Sequence, residues 1–292
     1  MRLCRFSADA RPRLGLVSDD RVIDLAAADA GLPDEPGAAL AAVGSARLAE
    51  IAAGAGGGIA LEEVRLLSPA RPRKYLAIAL NYADHIAETG MEPPQVPMFF
   101  NKQATCVVGP EADVHMPRVS DKLDYEGELA IVIGRRCRHV PVDDAEQVIA
   151  GYTIANDVSV RDWQMRAMTM TIGKSFDTHG PLGPWLVTPD ELGDPQQLGI
   201  RTFVNDEQRQ DGKTGDMVFG CFEQVSHLSE AFTLEPGDVI ATGTPAGVGS
   251  AYQPFPDGLL KVGDTVRVEV DGIGMLRNRV VPEPDGYLAQ ET

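Results

Sequence analysis

The sequence predicts an α+β fold that is mostly β, with a small N-terminal α+β domain ahead of a larger domain built mainly of strands. Most of the periodic segments alternate apolar and polar residues, turn-forming pairs such as Asn205-Asp206 and Asp271-Gly272 separate them, and helical segments are few. The chain has 292 residues, of which 43% are hydrophobic and 24% charged, the balance of a globular protein of one or two domains.

The N-terminal domain is predicted from alternating segments followed by alanine-rich ones. Residues 2–6 and 13–16 alternate like strands, and residues 22–25 follow a turn and return as a hairpin partner. Residues 25–30 and 37–53 are rich in alanine and are predicted to form short helices. Together these elements make a small α+β unit.

A boundary is predicted where glycine and proline cluster, at residues 54–58 and 68–73, so we assign the two domains to residues 1–70 and 71–292. In the larger domain, strands are expected at residues 75–79, 124–133, 151–158, 185–187, 201–204, 239–241 and 265–270. Helices are expected at residues 84–88, 144–150, 161–168 and 224–231.

Composition disfavours several classes of function. The 26 Lys+Arg and 43 Asp+Glu residues give a net charge of −17, which repels phosphate backbones, so no nucleic acid partner is expected. No apolar run approaches the roughly 18 residues of a membrane span, and no apolar signal core begins the chain, so no membrane partner is expected. No phosphate-binding glycine motif is present. The scattered cysteines are read as free thiols of a cytoplasmic protein: Cys4, Cys106, Cys137 and Cys221.

Two glutamates in the predicted strand 124–133 suggest a metal site. Glu126 and Glu128 are two residues apart, so a strand places both on one face, ~6.6 Å apart along the chain. Apolar residues continue that face, so the pair is partly buried, and one glutamate should take up a proton unless a cation lies between them. The alternative is that both are surface glutamates at a solvated strand end. If only these two residues are considered, that alternative is favoured.

A third carboxylate strengthens the metal interpretation. Asp157 follows Asn156 inside another β-rich run, residues 151–159, where both are embedded in small and apolar residues and an unpaired charge is unfavourable. Meeting the two glutamates, it would complete an all-oxygen set suited to Mg²⁺ or Mn²⁺. Asp157 capping a turn or pairing with Arg161 stays open as the alternative. Zinc is disfavoured because no His or Cys cluster has ligand spacing.

A histidine–glutamate pair suggests a general base. On a helical turn His85 and Glu88 are three residues apart and can touch, which leaves one imidazole nitrogen free to accept a proton. The glycine and prolines that follow are typical of the hinge of a movable lid. An ordinary exposed helix pair is the alternative, and the remaining histidines are read as structural: His115, His139, His179 and His227.

Two further segments could contact an anionic substrate. Lys174 lies among Gly, Ser and Phe ahead of a Pro/Gly loop, where it suits an anion or carbonyl oxygen, although a surface lysine would look the same. Thr244 lies in a glycine-rich turn after a predicted strand, where backbone N–H groups and its hydroxyl could hold a carboxylate. A plain β-turn is the alternative there.

As an ordered set, these segments resemble the fumarylacetoacetate hydrolase superfamily from about residue 75 to residue 281. The matching segments are Asn81-Tyr82-x-x-His85-x-x-Glu88, Asp124-Tyr125-Glu126-Gly127-Glu128-Leu129, Asn156-Asp157-Val158-Ser159-x-Arg161-Asp162-x-Gln164, Lys174-Ser175-Phe176-Asp177 and Thr242-Gly243-Thr244-Pro245-x-Gly247-Val248-Gly249. One departure is Phe100-Asn101-Lys102-Gln103, where many relatives have Phe-x-Lys-Pro.

The resemblance implies a mixed β-sandwich roll for the larger domain, a variable N-terminal domain and a homodimer. It implies that Glu126, Glu128 and Asp157 ligate Mg²⁺ or Mn²⁺. It also implies that His85 and Glu88 form a catalytic dyad on a lid.

The same resemblance suggests roles for five more residues. Lys174 and Gln164 would orient the reacting carbonyl or water, and Thr244 would receive the substrate carboxylate. Tyr82 and Arg161 lie in matching motifs and are candidates for substrate binding.

The expected activity is hydrolysis of a 2,4-dioxo acid, an acylpyruvate such as fumarylpyruvate or maleylpyruvate, to pyruvate and a carboxylic acid in aromatic-compound catabolism. The substrate would be a small anionic 2-oxo acid. An oxaloacetate decarboxylase or a 2-oxo-dioate decarboxylase/isomerase would use the same metal site. A catalytically silent protein that binds a small dicarboxylate is the third hypothesis.

Overall fold

The computed structural model describes residues 1–9 and 11–286. Residues 287–292, which the sequence assigns to the larger domain, lie outside the described residues. No helix in the described ranges combines the length and the apolar character needed to cross a bilayer. The four cysteines are all free, as expected, and three of them are buried.

The N-terminal part forms a sheet segment with two helices. Its elements are β1 (Arg2–Ser7), β2 (Pro12–Ser18), β3 (Arg21–Asp24), α1 (Leu25–Ala28), α2 (Pro36–Gly54), β4 (Ile59–Ala60) and β5 (Arg65–Leu67). Both predicted helices are present, and α2 is interrupted at Gly44, whose φ of 76° is not helical.

The larger part contains most of the strands. Its first half contains β6 (Tyr75–Ala79), α3 (Ala83–Thr89), β7 (Met98–Lys102), β8 (Val107–Val108), β9 (Val114–Met116), β10 (Leu123–Asp124), β11 (Gly127–Ile133), β12 (Ile149–Asn156), β13 (Ser159–Val160) and α4 (Arg161–Gln164). Its second half contains β14 (Gly180–Val187), α5 (Pro189–Leu192), β15 (Gly199–Val204), β16 (Glu207–Lys213), α6 (Cys221–Ala231), β17 (Val239–Ala241), β18 (Thr265–Val270) and β19 (Gly274–Pro282).

Two sheets pack face to face in the described part of the chain. The main path of the 12-stranded sheet is β4-β3-β2-β1-β14-β12-β11-β17-β6-β7, and the 5-stranded sheet has the order β16-β15-β18-β19-β9. The N-terminal strands belong to the large sheet, because β1 pairs antiparallel with β14 in the register Arg2↔Val187. The predicted α+β, mostly β fold is confirmed, whereas the division at residue 70 stays a prediction.

The core lies between the sheets and on both faces of β11. Leu129 and Ile131 of β11 pack with Ile200 of β15 and Val268 of β18 in one apolar cluster. Ala130, on the opposite face of β11, belongs to a second cluster. A central strand covered on both faces explains why the sequence reads as a nearly continuous apolar run there.

Several predicted boundaries are wrong. The strand expected at 124–133 is broken between β10 and β11, so Tyr125 and Glu126 lie outside both. The helix expected at 144–150 is a 3-10 helix, Val142–Val148, and β12 already begins at Ile149. The helix expected at 161–168 ends at Gln164 as α4.

Two strands were missed because their patterns are not apolar. The β16 strand lies at the edge of its sheet and is polar along most of its length; Gln210 and Gly212 are its buried positions. The β19 strand buries Asn278 between Leu276 and Val280, which hides its period of two. The β7 strand and five strands of two or three residues were also missed: β4, β5, β8, β9 and β13.

Candidate functional site

Three buried carboxylates converge where β11 begins and β12 ends. The two strands are antiparallel neighbours and Gly127 pairs with Asn156, so Glu126 and Glu128 lie beside Asp157. The backbone N–H of Asp157 also donates to the carbonyl oxygen of Glu126 at 2.8 Å. One oxygen from each of the three carboxylates lies within 4.8 Å of the others. The structure thus brings the three predicted metal ligands together.

Gly127 between the two glutamates allows the second sheet to approach. A Cβ at this position would lie 2.2 Å from Oγ1 of Thr202 and 2.9 Å from Cγ1 of Val268. These distances leave no room for a side chain, so the sequence Glu-Gly-Glu lets two acidic side chains flank a tightly packed backbone.

Three cations contact two of the carboxylates. Lys174 Nζ lies 2.6 Å from Glu126 Oε2 and 2.9 Å from Asp157 Oδ2. Arg161 Nη1 donates to Glu126 Oε1 at 2.7 Å. Lys102 Nζ lies 2.5 Å from Asp157 Oδ1 and also donates to the carbonyl oxygen of Lys174.

The pKa values of the two glutamates are consequently shifted in opposite directions. Burial by itself would raise the pKa of Glu126, but Lys174 and Arg161 outweigh burial and hold that pKa at about 2. Burial raises the pKa of Glu128 well above its usual range, and the charges of Asp157 and Glu126 add to this shift. The expectation that one glutamate takes up a proton therefore agrees with the direction of the Glu128 shift.

The donor set fits a hard divalent cation. Its ligands are all carboxylate oxygens, and within the described ranges no Lys, Arg or His lies at ion-pair distance from Glu128, whose Oε2 accepts only from the backbone N–H of Gly243 at 2.8 Å. Mg²⁺ and Mn²⁺ prefer such oxygen ligands. A cation at this position would provide the positive partner that the Glu128 carboxylate lacks.

The predicted dyad is formed on a short helix. In α3, His85 Nδ1 lies 3.0 Å from Glu88 Oε2. If the Nδ1–H group donates to this carboxylate, Nε2 keeps its lone pair and can accept a proton. A positive charge on the His85 ring would lower the pKa of Glu126, so the ring lies within electrostatic reach of that carboxylate. The helix ends at Thr89 and is capped by Gly90, whose φ of 66° is left-handed.

The helix α3 is fastened to the glycine-rich segment that follows β17. Glu88 Oε1 accepts from the backbone N–H of Gly247 at 2.9 Å, and Asp84 Oδ2 accepts from that of Ala246 at 3.2 Å. Glu88 therefore uses one oxygen to hold His85 and the other to dock the helix.

The structure places the remaining predicted residues either against groups that hold the carboxylates or in the apolar core. Arg161 contacts Glu126, as above, and also donates to Gln164 Oε1 at 3.0 Å. The Thr244 hydroxyl donates to the carbonyl oxygen of Gly127 at 2.8 Å and accepts from Gln210 Nε2 at 2.8 Å, so both functions are already used. Tyr82 is 0% exposed and packs in the core.

Sequence reasoning missed three residues that hold the site. Lys102 was noted only within the segment 100–103 that departs from the family pattern. The signal that could have found it is a lysine at the end of a strand that includes buried Phe100. Asp124 was noted only as part of a motif, although an acidic residue beside buried Leu123 needs partners. Gln210 gave no signal in its polar strand.

His179, read from the sequence as structural, is fully buried. Burial lowers its pKa to about 3. Its Nε2 lies 2.8 Å from the carbonyl oxygen of His115, a contact that a neutral ring makes by donating its Nε2–H. A groove of about 1310 Å³ is lined by His179 and Trp163, among other residues, but by none of the three carboxylates.

Two family models match the chain. The model described as the C-terminal part of fumarylacetoacetate (FAA) hydrolase matches residues 74–281. The model described as Rv2993c-like, N-terminal, matches residues 1–69. A protein of Burkholderia ambifaria is 42% identical over 276 residues, which are 94% of this chain and 96% of that one.

Solved structures of related proteins have the same fold over nearly the whole chain. The 5-carboxymethyl-2-hydroxymuconate delta-isomerase of Mycobacterium smegmatis is 36% identical with a TM-score of 0.79, covering 97% of this chain and 100% of its own. The maleylpyruvate hydrolase of Sphingobium sp. SYK-6, in complex with manganese(II) and pyruvate, is 32% identical with a TM-score of 0.80 and the same coverage. This likeness confirms the fold class that the sequence resemblance implied.

Proposed function

The chain belongs to the fumarylacetoacetate hydrolase family, and from this premise we propose that it hydrolyses a carbon–carbon bond of a 2,4-dioxo acid. The substrate would be an acylpyruvate such as fumarylpyruvate or maleylpyruvate, and the products pyruvate and a second carboxylic acid. The observation that carries this proposal is the buried convergence of Glu126, Glu128 and Asp157.

The carboxylates and Lys174 form the part of the site that would take the 2-oxo acid. Glu126, Glu128 and Asp157 would hold Mg²⁺ or Mn²⁺, which when bound supplies Lewis-acid stabilisation of negative charge on substrate oxygens. Burial would lower the pKa of Lys174, but Asp157 and Glu126 outweigh burial and raise it, so the lysine stays cationic. Its ammonium group would stabilise the same developing charge.

The His85–Glu88 pair would activate water. His85 Nε2 takes a proton from the water, and the hydroxide adds to the carbonyl carbon of the acyl group. The C3–C4 bond then breaks: its electron pair goes to the pyruvate fragment, which takes up the proton, and the acyl group leaves as a carboxylic acid. Glu88 holds the ring and stabilises its positive charge.

Local charge must counter the field of the whole molecule. A net charge of −17 repels an anionic substrate at long range. Lys174 and Arg161, together with a bound cation, would make the site attractive at short range. This reasoning supports a strong dependence of activity on the metal.

A decarboxylase or isomerase acting on a 2-oxo dioate is the second candidate. It is favoured by the similarity to the Mycobacterium smegmatis isomerase, whereas the Sphingobium hydrolase with manganese and pyruvate favours hydrolysis. Both activities would use the same three carboxylates, so the metal does not distinguish them. The dyad does, because only hydrolysis requires an activated water.

His85→Ala separates the two candidates. We expect the variant to lose about 10²–10⁴-fold in kcat for acylpyruvate hydrolysis, because the general base is gone. It should keep most of any oxaloacetate decarboxylation. His227→Ala, a half-buried histidine on α6, is the matched control and should leave both rates unchanged. Equal loss of both activities in His85→Ala would contradict water activation by the dyad.

The substrate screen measures the loss of enol absorbance for each acylpyruvate in a panel, first with Mn²⁺ and then with excess chelator. Turnover that the chelator abolishes is the expected result. Absence of turnover on every 2,4-dioxo acid with Mn²⁺ bound would favour the third hypothesis, a protein that binds a dicarboxylate without converting it.

We also propose that the chain forms a homodimer, an assembly that the family resemblance implies. Light scattering after size-exclusion chromatography should then give twice the chain mass of 31.3 kDa. A mass equal to one chain across the accessible concentrations would contradict this proposal.

A further inference from the structure

We propose that Asp124 is a positioning residue for the cation site, acting through Arg161 and through the loop that contains Gly249. This inference rests on the proposed metal site and adds a residue to it that does not touch the metal. Asp124 is 0% exposed and lies at the end of β10, just before the break that leads to Glu126.

Asp124 is surrounded by hydrogen-bond donors. Its Oδ1 accepts from the backbone N–H of Tyr125 at 2.8 Å and of Gly249 at 2.7 Å. Its Oδ2 accepts from the backbone N–H of Ser250 at 2.9 Å and from Arg161 Nε at 2.7 Å. Because every partner donates, both oxygens must be acceptors, and an asparagine amide would turn an NH₂ group towards another donor.

The loop is packed directly onto this carboxylate. A Cβ at Gly249 would lie 2.4 Å from Asp124 Oδ1 and 2.4 Å from the carbonyl oxygen of Gly258. The glycine is therefore required for the contact, and the contact leaves no space for water between loop and carboxylate.

Arg161 connects Asp124 to a metal ligand. Its Nε faces Asp124 Oδ2, and its Nη1 donates to Glu126 Oε1 at 2.7 Å. Engaging Oε1 fixes the plane of the Glu126 carboxylate and leaves Oε2 on the side of Lys174 and Asp157. Without Asp124, the guanidinium would have one fixed partner fewer and could rotate.

The anchored loop also reaches the other two parts of the site. The same segment donates from Gly243 to Glu128 Oε2 at 2.8 Å and from Gly247 to Glu88 Oε1 at 2.9 Å. Fixing the end of this segment at Gly249 therefore restricts both Glu128 and the helix α3 that carries the dyad. Groups behind metal ligands typically change metal affinity about 10–100-fold when they are removed.

The test is Mn²⁺ binding measured by isothermal titration calorimetry on the full chain. We expect Asp124→Asn to weaken Mn²⁺ binding at least about tenfold. The matched control is Asp238→Asn. Asp238 is also fully buried and also accepts from a cationic side chain and backbone N–H groups, but its partners are Lys74 and the turn at Glu235. It should lower Tm without changing Mn²⁺ affinity.

A double-mutant cycle with Arg161→Lys tests the route. Lysine keeps the charge but cannot contact Asp124 and Glu126 with separate nitrogens. If Asp124 acts through Arg161, adding Asp124→Asn to Arg161→Lys should weaken Mn²⁺ binding much less than it does in the wild type. Fully additive losses would overturn this route.

The outcomes separate this inference from the proposed function. Wild-type protein that does not bind Mn²⁺ overturns both. Wild-type protein that binds Mn²⁺ while Asp124→Asn binds it equally well overturns the role of Asp124 alone. If Asp124→Asn does not fold, Arg161→Lys alone decides, and unchanged Mn²⁺ affinity in that variant overturns the inference.

Discussion

At the scale of single residues, Glu126 and Glu128 respond to pH in opposite directions. Glu126 has a lowered pKa, so its contribution to stability is present above the unfolded value and is lost as pH falls towards about 2. Glu128 has a raised pKa, so the folded protein holds a proton that the unfolded chain has released. Its contribution is present below the unfolded value and is lost as pH rises through the folded pKa.

The variant Glu128→Gln tests this environment in the metal-free protein. Glutamine stays neutral, so the variant escapes the loss of stability that Glu128 causes as pH rises. We expect the Tm of the variant relative to wild type to increase by at least about 2 °C between about pH 5 and about pH 8. Thermal unfolding in excess chelator measures this difference.

Adding Mn²⁺ should raise the Tm of wild type more than the Tm of Glu128→Gln. A ligand that binds the folded state raises Tm, and Glu128→Gln lacks one of the proposed ligands. Glu62→Gln, an exposed position, is the control and should follow wild type under all conditions. A Glu128→Gln protein that keeps the full Mn²⁺-induced increase in Tm would contradict the assignment of Glu128 as a ligand.

At the scale of elements, the sequence predicted best where one pattern dominated. The strand period placed Glu126 and Glu128 on one face, Asp157 was placed inside another β-rich run, and the helical spacing paired His85 with Glu88. The meeting of the first three depends on β11 lying beside β12, a long-range pairing that alternation does not encode.

Side-chain contacts were harder to predict than element positions. The Thr244 hydroxyl is hydrogen-bonded to the backbone of Gly127 and to Gln210, and Arg161 contacts Asp124 and Glu126. Both placements depend on residues far along the chain, which spacing within one motif does not reveal. The roles of Thr244 and Arg161 in substrate binding stay predictions.

The segment after β7 allows a test of a sequence departure. Gln103 stands where many relatives have proline, and its backbone N–H donates to Ser175 Oγ at 3.1 Å, a bond that proline cannot make. Its φ of −71° already suits a proline ring. The variant Gln103→Pro therefore loses one hydrogen bond, about 0.5–1.5 kcal/mol, and gains about 0.4–1 kcal/mol from a restricted unfolded chain.

We expect the free energy of unfolding of Gln103→Pro to stay within about 1 kcal/mol of wild type, measured by urea denaturation. Ser175→Ala removes the same hydrogen bond without the proline and should be the less stable of the two. A loss of about 3 kcal/mol or more in Gln103→Pro would mean that this segment requires a backbone that proline cannot adopt.

At the scale of the whole molecule, the N-terminal strands belong to the same sheet as β11 and β12, the two strands that bring the three carboxylates together. The β1 strand pairs with β14, β14 pairs with β12, and β12 ends beside Asp157. Trp185 of β14 packs against an apolar cluster of the N-terminal part that includes Phe6. The two family matches divide the chain near residue 70, but the backbone pairing runs across that division.

Removing residues 1–70 should therefore destabilise the whole sheet. Deletion removes the β1 partner of β14 and uncovers Trp185, which packs against the N-terminal apolar cluster. Each large apolar side chain that loses its cover costs about 1.5–3 kcal/mol, against a total stability of about 5–15 kcal/mol for a typical domain. We expect the 71–292 fragment to aggregate and to show no cooperative thermal transition, as followed by circular dichroism and light scattering.

Co-expression with the 1–70 segment should restore soluble protein that binds Mn²⁺, because strand pairing with β14 needs no covalent link. A fragment that unfolds cooperatively on its own and binds Mn²⁺ like the full chain would show instead that the carboxylate site is stabilised within residues 71–292, and that β1 covers an edge already stable without it.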